Sequence, residues 1–239
     1  IPTIYFNRVI KFRNLWFLSE WAIPYADKII TDSEFSKKEL IHYLNINEDK
    51  IHVIPLGVDK NYQPLDKAAC RGKFDLDPDM KYILIVSSNE KWKNMELVNK
   101  IIDRIDKYKF IKIGYGELLD NPKVINLGYI DEKDMPYLYN ACDLFLHPFL
   151  CEGYFPPLEA MACGCPVISA DVEPSQEVVG DAGIMVDPHD VDEWTNAIYE
   201  VLTDEELRLD LIKKGLRQAK KFTWEKTAKE TIKVYEEVY

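Results

Sequence analysis

From Tyr82 onward the chain alternates short, uninterrupted apolar runs with longer stretches of helical period. Tyr82 to Ser87, Phe110 to Ile113, Val124 to Leu127, Asp143 to His147, Pro166 to Ala170 and a run near Gly183 to Val186 have strand length and lack a polar face, as strands covered by helices on both sides must. The intervening segments predict helices. One ends near Lys107, one is opened by Asp131 with Asp134 three residues on, and one begins at Pro156 and Pro157 and is stopped by Gly164 and Pro166. Two more span about 190 to 202 and 204 to 220, and a last one runs from Thr223 to Tyr239. Strands alternating with helices at this spacing predict an α/β fold with a doubly wound, Rossmann-like parallel sheet. Upstream, Lys28 to Thr31, a helix capped by Ser33 with Glu34 in its first turn, and Ile51 to Pro55 outline a smaller α/β piece, and Gly57 to Asp66 reads as a linker.

Residues 1 to about 25 carry less pattern. Phe12, Leu15, Trp16, Phe17 and Trp21 would line one helical face, with Arg8, Lys11 and Arg13 nearby. Such a stripe ordinarily packs into a core, and a peripheral contact with an acidic membrane surface is the alternative.

Ligands of a doubly wound sheet sit at the carboxyl ends of its strands. That rule places Ser88 to Asn94, Gly114-Tyr115-Gly116, Tyr129, Ile130 and Glu152 to Glu159 on one rim. The loop Glu152-Gly153-Tyr154-Phe155 stands before a helix whose first N–H groups and dipole attract phosphate, and Glu152 and Glu159 bracket it. Each has an ordinary reading as well. Glu159, taken as a first-turn residue, would complement the dipole, and Glu152 would be a solvated loop residue. Two carboxylates could also act as the acid and base of glycoside hydrolysis, but that chemistry does not usually set the pair beside a phosphate-binding helix end. Lys91 and Lys93 are the cations nearest the first strand end, and His147, before Pro148, reads as structural.

Composition narrows the functions. A formal charge of −11 argues against a general nucleic-acid binder, which needs clustered Lys and Arg. No apolar run approaches the roughly 18 residues needed to span a bilayer, and no secretory signal is visible. A start at Ile1 rather than Met reads as a processed or truncated beginning. Five cysteines form an odd set without metal-site spacing, which favours a reducing, cytoplasmic compartment. Cys163 and Cys165 read as small packing residues.

The two glutamates, the turn between them and the following Pro-Pro-Leu-Glu-Ala-Met-Ala helix resemble the signature of the large retaining glycosyltransferase family of GT-B fold (GT4-like, group 1). The segments TDSEFSKKEL, DKIHVIPLGVD, EKWKN, EVVGDAG and FTWEKTAKET match that family in order. The resemblance implies a remnant of the acceptor-side domain over residues 1 to 58, a donor-binding domain over 59 to 222 and a crossover helix over 223 to 239. Something like a hundred further residues would complete the first domain. It implies transfer of a hexose from a nucleoside diphosphate sugar to a carbohydrate or lipid-linked acceptor hydroxyl, with retention and without metal or separate cofactor. Lys93 would contact the diphosphate and Glu152 the sugar hydroxyls beside the reacting carbon. Glu159 would bind the ribose hydroxyls, Tyr129 and Ile130 would line the base, and Ser88, Gly153, Tyr154 and Phe155 would complete the donor pocket. The helix variant leans toward GDP-mannose, with UDP-glucose next. Two features depart from the family. Six residues rather than seven separate Glu152 from Glu159, and Trp92 and Ser88 stand where an arginine is common. The alternative functions are a nucleotide-sugar-binding subunit without activity of its own and, on the same fold, an epimerase or phosphorylase.

Overall fold

A computed structural model describes residues 23 to 238, apart from Asn89, Glu117 and residues 152 to 154. The expectations placed on the aromatic stripe of residues 1 to 22 and on Glu152, Gly153 and Tyr154 lie outside the described residues. The chain forms two compact units, one of residues 1 to 55 with 225 to 239 and one of residues 56 to 224.

In the first unit, β1 (Ile29–Thr31) pairs parallel with β2 (Ile51–Val53) through α1 (Glu34–Leu44). The Ser33 side chain accepts the Ser36 N–H at 3.2 Å, which caps α1. The Thr227 hydroxyl donates to the Pro55 carbonyl at 2.7 Å and Lys28 pairs with Glu237 at 3.0 Å, fixing residues of the last helix on this pair.

The second unit is built on a six-stranded sheet in the order β5-β4-β3-β6-β7-β8, every pairing parallel. The strands are β3 (Tyr82–Val86), β4 (Lys109–Ile113), β5 (Val124–Gly128), β6 (Leu144–His147), β7 (Val167–Ala170) and β8 (Ile184–Val186). The helices are α2 (Lys67–Lys73), α3 (Met95–Arg104), α4 (Met135–Ala141), α5 (Phe155–Ala162), α6 (Glu173–Val178), α7 (Val191–Thr203) and α8 (Glu205–Ala219), before α9 (Trp224–Glu236). Successive strand residues serve opposite faces. Leu84, Ile111, Phe145 and Val167 join one core with Leu138, Tyr139, Leu158 and Met161, whereas Ile83, Ile85, Phe110 and Leu146 join another with Ile101, Ile102, Trp194 and Ile198. Both faces of the central strands are therefore dry, which is why those strands read as continuous apolar runs.

Two helices went unread in the sequence, α2 and α6. Asp66 caps α2 by accepting the Ala69 N–H at 2.8 Å, and α2 carries the buried Arg71. Arg71 donates to Asp143 at 2.8 Å and to the Ala141 carbonyl at 3.1 Å, and to the Pro78 carbonyl as well. Asp143 precedes β6 rather than beginning it. Its carboxylate also accepts the Tyr82 N–H at 2.8 Å and pairs with Lys67 at 2.6 Å. A single carboxylate thus ties α2 to the amino ends of β3 and β6.

Candidate functional site

The strand order reverses direction between β3 and β6, and a crevice opens at the carboxyl ends of strands at such a point. The loops that leave β3 and β6 flank it. After β3, Ser87 donates its N–H to the Ile113 carbonyl at 3.0 Å, and the Ser88 hydroxyl donates to the Glu90 carboxylate. A single 3-10 turn, Lys91–Lys93, follows. Asn94 closes it with φ +54, a left-handed conformation that Asn tolerates, and donates its side-chain N–H to the Pro188 carbonyl at 2.8 Å. After β6, the Leu150 N–H donates to the Trp92 carbonyl at 2.8 Å, joining the two loops across the switch point. Lys93 Nζ lies 3.8 Å from the centre of the Phe149 ring. Phe149 is buried and packs against the tilted ring of the buried His147, ring centres 4.3 Å apart, so Lys93 stands on a rigid aromatic floor with its charge over the ring face.

A second group lies at the ends of β4 and β5. The Gly114 N–H donates to the Gly128 carbonyl at 2.8 Å. Gly114 has φ +104, and a Cβ there would come within 2.4 Å of the Ser87 carbonyl oxygen, so only glycine fits. Beyond these glycines the Tyr115 and Tyr129 rings stack, centres 5.5 Å apart, and both are exposed. Ile130 packs partly into the core beside them.

The third group surrounds Glu159. Helix α5 begins at Phe155, so Glu159 falls in the second turn, and the dipole-complementing first-turn reading is corrected. The Tyr139 hydroxyl donates to Glu159 Oε2 at 2.9 Å, and the Tyr62 ring meets the Tyr139 ring edge to face. Burial raises the Glu159 pKa, the Tyr139 hydroxyl lowers it, and the nearby Glu132 raises it further. Phe155 starts the same helix, half exposed, and stacks on Trp224, ring centres 6.4 Å apart. Among the described residues, the sequence-derived candidates thus fall into three groups along one rim. Tyr139, Tyr62 and Phe149 were not foreseen. Their only local signal was that Phe149 follows Pro148 at a strand end.

The sequence profile described as Glycosyl transferases group 1 matches residues 66–218, well over half of the chain. The chain belongs to the group 1 glycosyltransferases. A second profile, Glycosyltransferase Family 4, matches residues 3–62 of this glycosyltransferase chain. The O-antigen chain mannosyltransferase B of Escherichia coli is 34% identical over 235 residues, which are 90% of this chain and 61% of that protein. This chain spans less than two thirds of the length of the curated relatives it matches. Among solved structures, sucrose-phosphate synthase from Thermosynechococcus elongatus aligns with a TM-score of 0.81 at 23% identity, over 93% of this chain and 61% of the other. Anabaena HepE, solved in complex with UDP and glucose, aligns with a TM-score of 0.79 at 21% identity, over 95% of this chain and 66% of HepE. These likenesses show the fold, the doubly wound sheet of GT-B glycosyltransferases, of which this chain covers a part. Among the described residues no helix is long and apolar enough to cross a membrane.

Proposed function

We propose that residues 56 to 224 bind the donor of a retaining hexosyltransferase, a nucleoside diphosphate sugar whose hexose goes to a carbohydrate or lipid-linked acceptor hydroxyl. The observation that carries the reading is Lys93, held over Phe149 at the switch point where the Trp92 carbonyl is bonded to the loop leading into α5. As the sugar leaves, charge builds on the diphosphate. A pre-positioned ammonium and the positive dipole end of α5 stabilise that charge more in the transition state than before it. Tyr129 and Ile130 receive the base and Glu159 the ribose, while Ser88, Gly153, Tyr154 and Phe155 line the donor. Glu152 holds the sugar hydroxyls near the reacting carbon, and the departing diphosphate helps to accept the acceptor proton. The mannosyltransferase relative supports GDP-mannose as donor ahead of UDP-glucose. The odd set of five cysteines fits a reducing, cytoplasmic setting.

The acceptor side of such a site belongs to a second domain, of which this chain holds residues 1 to 58 at most. The isolated chain therefore binds donor but transfers no sugar, since without the second wall water is not excluded and the acceptor is not aligned. The shortened spacing between Glu152 and Glu159 favours a second reading, a donor-binding subunit without activity of its own.

Calorimetry with GDP, UDP, GDP-mannose and UDP-glucose tests the proposal. Lys93→Ala weakens diphosphate binding by about 1.5 to 3 kcal/mol, the range of hydrogen bonds to charged groups, and Lys91→Ala does not. Loss in Lys91→Ala with unchanged affinity in Lys93→Ala would move the site to the other lysine. No binding of any of the four would end the donor reading for this chain.

A further inference from the structure

A carboxylate offers about four acceptor positions, and the hydrogen-bond partners of Glu159 occupy only part of them. Tyr139, fully buried on α4, donates to Oε2 at 2.9 Å. Tyr62, near the start of the same unit, packs beside Tyr139 in the core. The two rings meet edge to face, centres 6.1 Å apart, and Tyr139 packs likewise against Phe145 at 5.7 Å. Neither tyrosine can swing away without opening the core. Glu159 itself stays half-buried rather than closed off, on the helix whose first turn borders the switch point.

We propose that Tyr139 is a positioning residue for the donor, a buried hydroxyl that fixes the Glu159 carboxylate in place and leaves its remaining lone pairs to a vicinal diol, the ribose 2′- and 3′-hydroxyls. The inference rests on the assignment of Glu159 to the ribose. Physically, a half-buried carboxylate beside another acid tends to take up a proton, and a protonated carboxyl offers fewer acceptor positions to a diol. The groups facing Glu159 are Tyr139 from α4, Tyr62 from near the start of the unit, Glu132 from the turn before α4, and Cys163 one turn along its own helix. The Cys163 thiol is pushed far up by burial and stays neutral. Tyr139 acts to keep Glu159 ionised, and burial drives its own pKa upward, so it remains a hydroxyl donor throughout the usable pH range.

The test has two arms, both on the whole 239-residue chain. In the first, the carboxyl carbon of Glu159 is followed by 13C NMR against pH and identified by its loss in Glu159→Gln. Tyr139→Phe keeps the ring and removes the donor, and it moves the Glu159 midpoint to higher pH. In the second, GDP or UDP, whichever binds more tightly, is compared by calorimetry with its 2′,3′-dideoxy analogue. The ratio of the two affinities cancels the titration of the diphosphate. The wild type prefers the diol by roughly tenfold or more, as a hydrogen bond to a charged group allows. Tyr139→Phe loses at least about threefold of that preference at neutral pH, and the loss extends to higher pH than in the wild type. An unmoved Glu159 midpoint in Tyr139→Phe overturns the clamp even where Glu159→Gln abolishes the preference. Equal wild-type affinity for nucleotide and dideoxynucleotide, with the midpoint shifted, instead overturns the ribose assignment and the proposal with it.

Discussion

Replacing Asp143 by alanine removes one carboxylate and strands three partners at once. Arg71 is left as a buried cation, with a side-chain exposure of 9%, and the Tyr82 N–H loses its acceptor at the start of β3. Breaking a buried pair from one side costs about 3 to 5 kcal/mol, and an orphaned buried N–H adds about 1 to 3 kcal/mol. Lys67 is 39% exposed and re-solvates, so its share is small, about 1 kcal/mol or less. Asp143→Ala should therefore cost about 4 kcal/mol or more, a large part of the 5 to 15 kcal/mol that holds an ordinary domain together. Hydrogen exchange read on peptides covering β3 and β6 measures this directly, because those central strands open only with the whole unit. Lys67→Ala serves as the control. A double change, Asp143→Leu with Arg71→Met, removes both charges and should recover part of the loss, with a coupling energy of more than 1 kcal/mol. A loss below 1 kcal/mol in Asp143→Ala, or strict additivity in the double variant, would refute the reasoning.

Gly114→Ala forces a Cβ into the Ser87 carbonyl at a positive φ, so its melting temperature should fall in step with a cost of about 2 kcal/mol or more, and nucleotide affinity should fall with it. Tyr129→Ala should weaken nucleoside diphosphates by about 1 kcal/mol in calorimetry, the lower end of base stacking on an aromatic ring. Equal affinity would remove the base from that rim. Glu159→Gln should be at least as stable as the wild type at pH 7.5. Burial raises the folded-state pKa of Glu159 above its unfolded value, so its contribution to stability is present at low pH and lost as pH rises through the folded pKa. Urea midpoints of the two proteins should hence differ at pH 7.5 and converge by about pH 4.

What could be read from the sequence follows from how local each cause is. Tyr82 to Val86 and Leu144 to His147 are buried on both faces, so an unbroken apolar run announces them. The parallel order and the rim follow from the alternation of such runs with helices. Helix α2, by contrast, is seven residues long with Gly72 inside it, and Asp66 was its only clear signal. Arg71 meets Asp143 across 72 positions, and no pattern in a window of a dozen residues can show that. The surroundings of Glu159 were hidden for the same reason. Gly114 was placed on the rim by its position after a strand, while the close approach of the Ser87 carbonyl, which makes glycine obligatory there, needs a neighbouring strand to be seen.

The bond from the Leu150 N–H to the Trp92 carbonyl is made entirely by main-chain atoms. Side chains at 92 and 150 can consequently drift through generations of substitution without loosening the fastening between the two loops, and only proline at 150 deletes the donor outright. A lineage can exchange an arginine for Trp92 beside the lysine and keep the lysine's station. This joint is tolerant of mutation because its specificity resides in backbone register, and selection at positions 92 and 150 is left free to act on whatever the side chains touch.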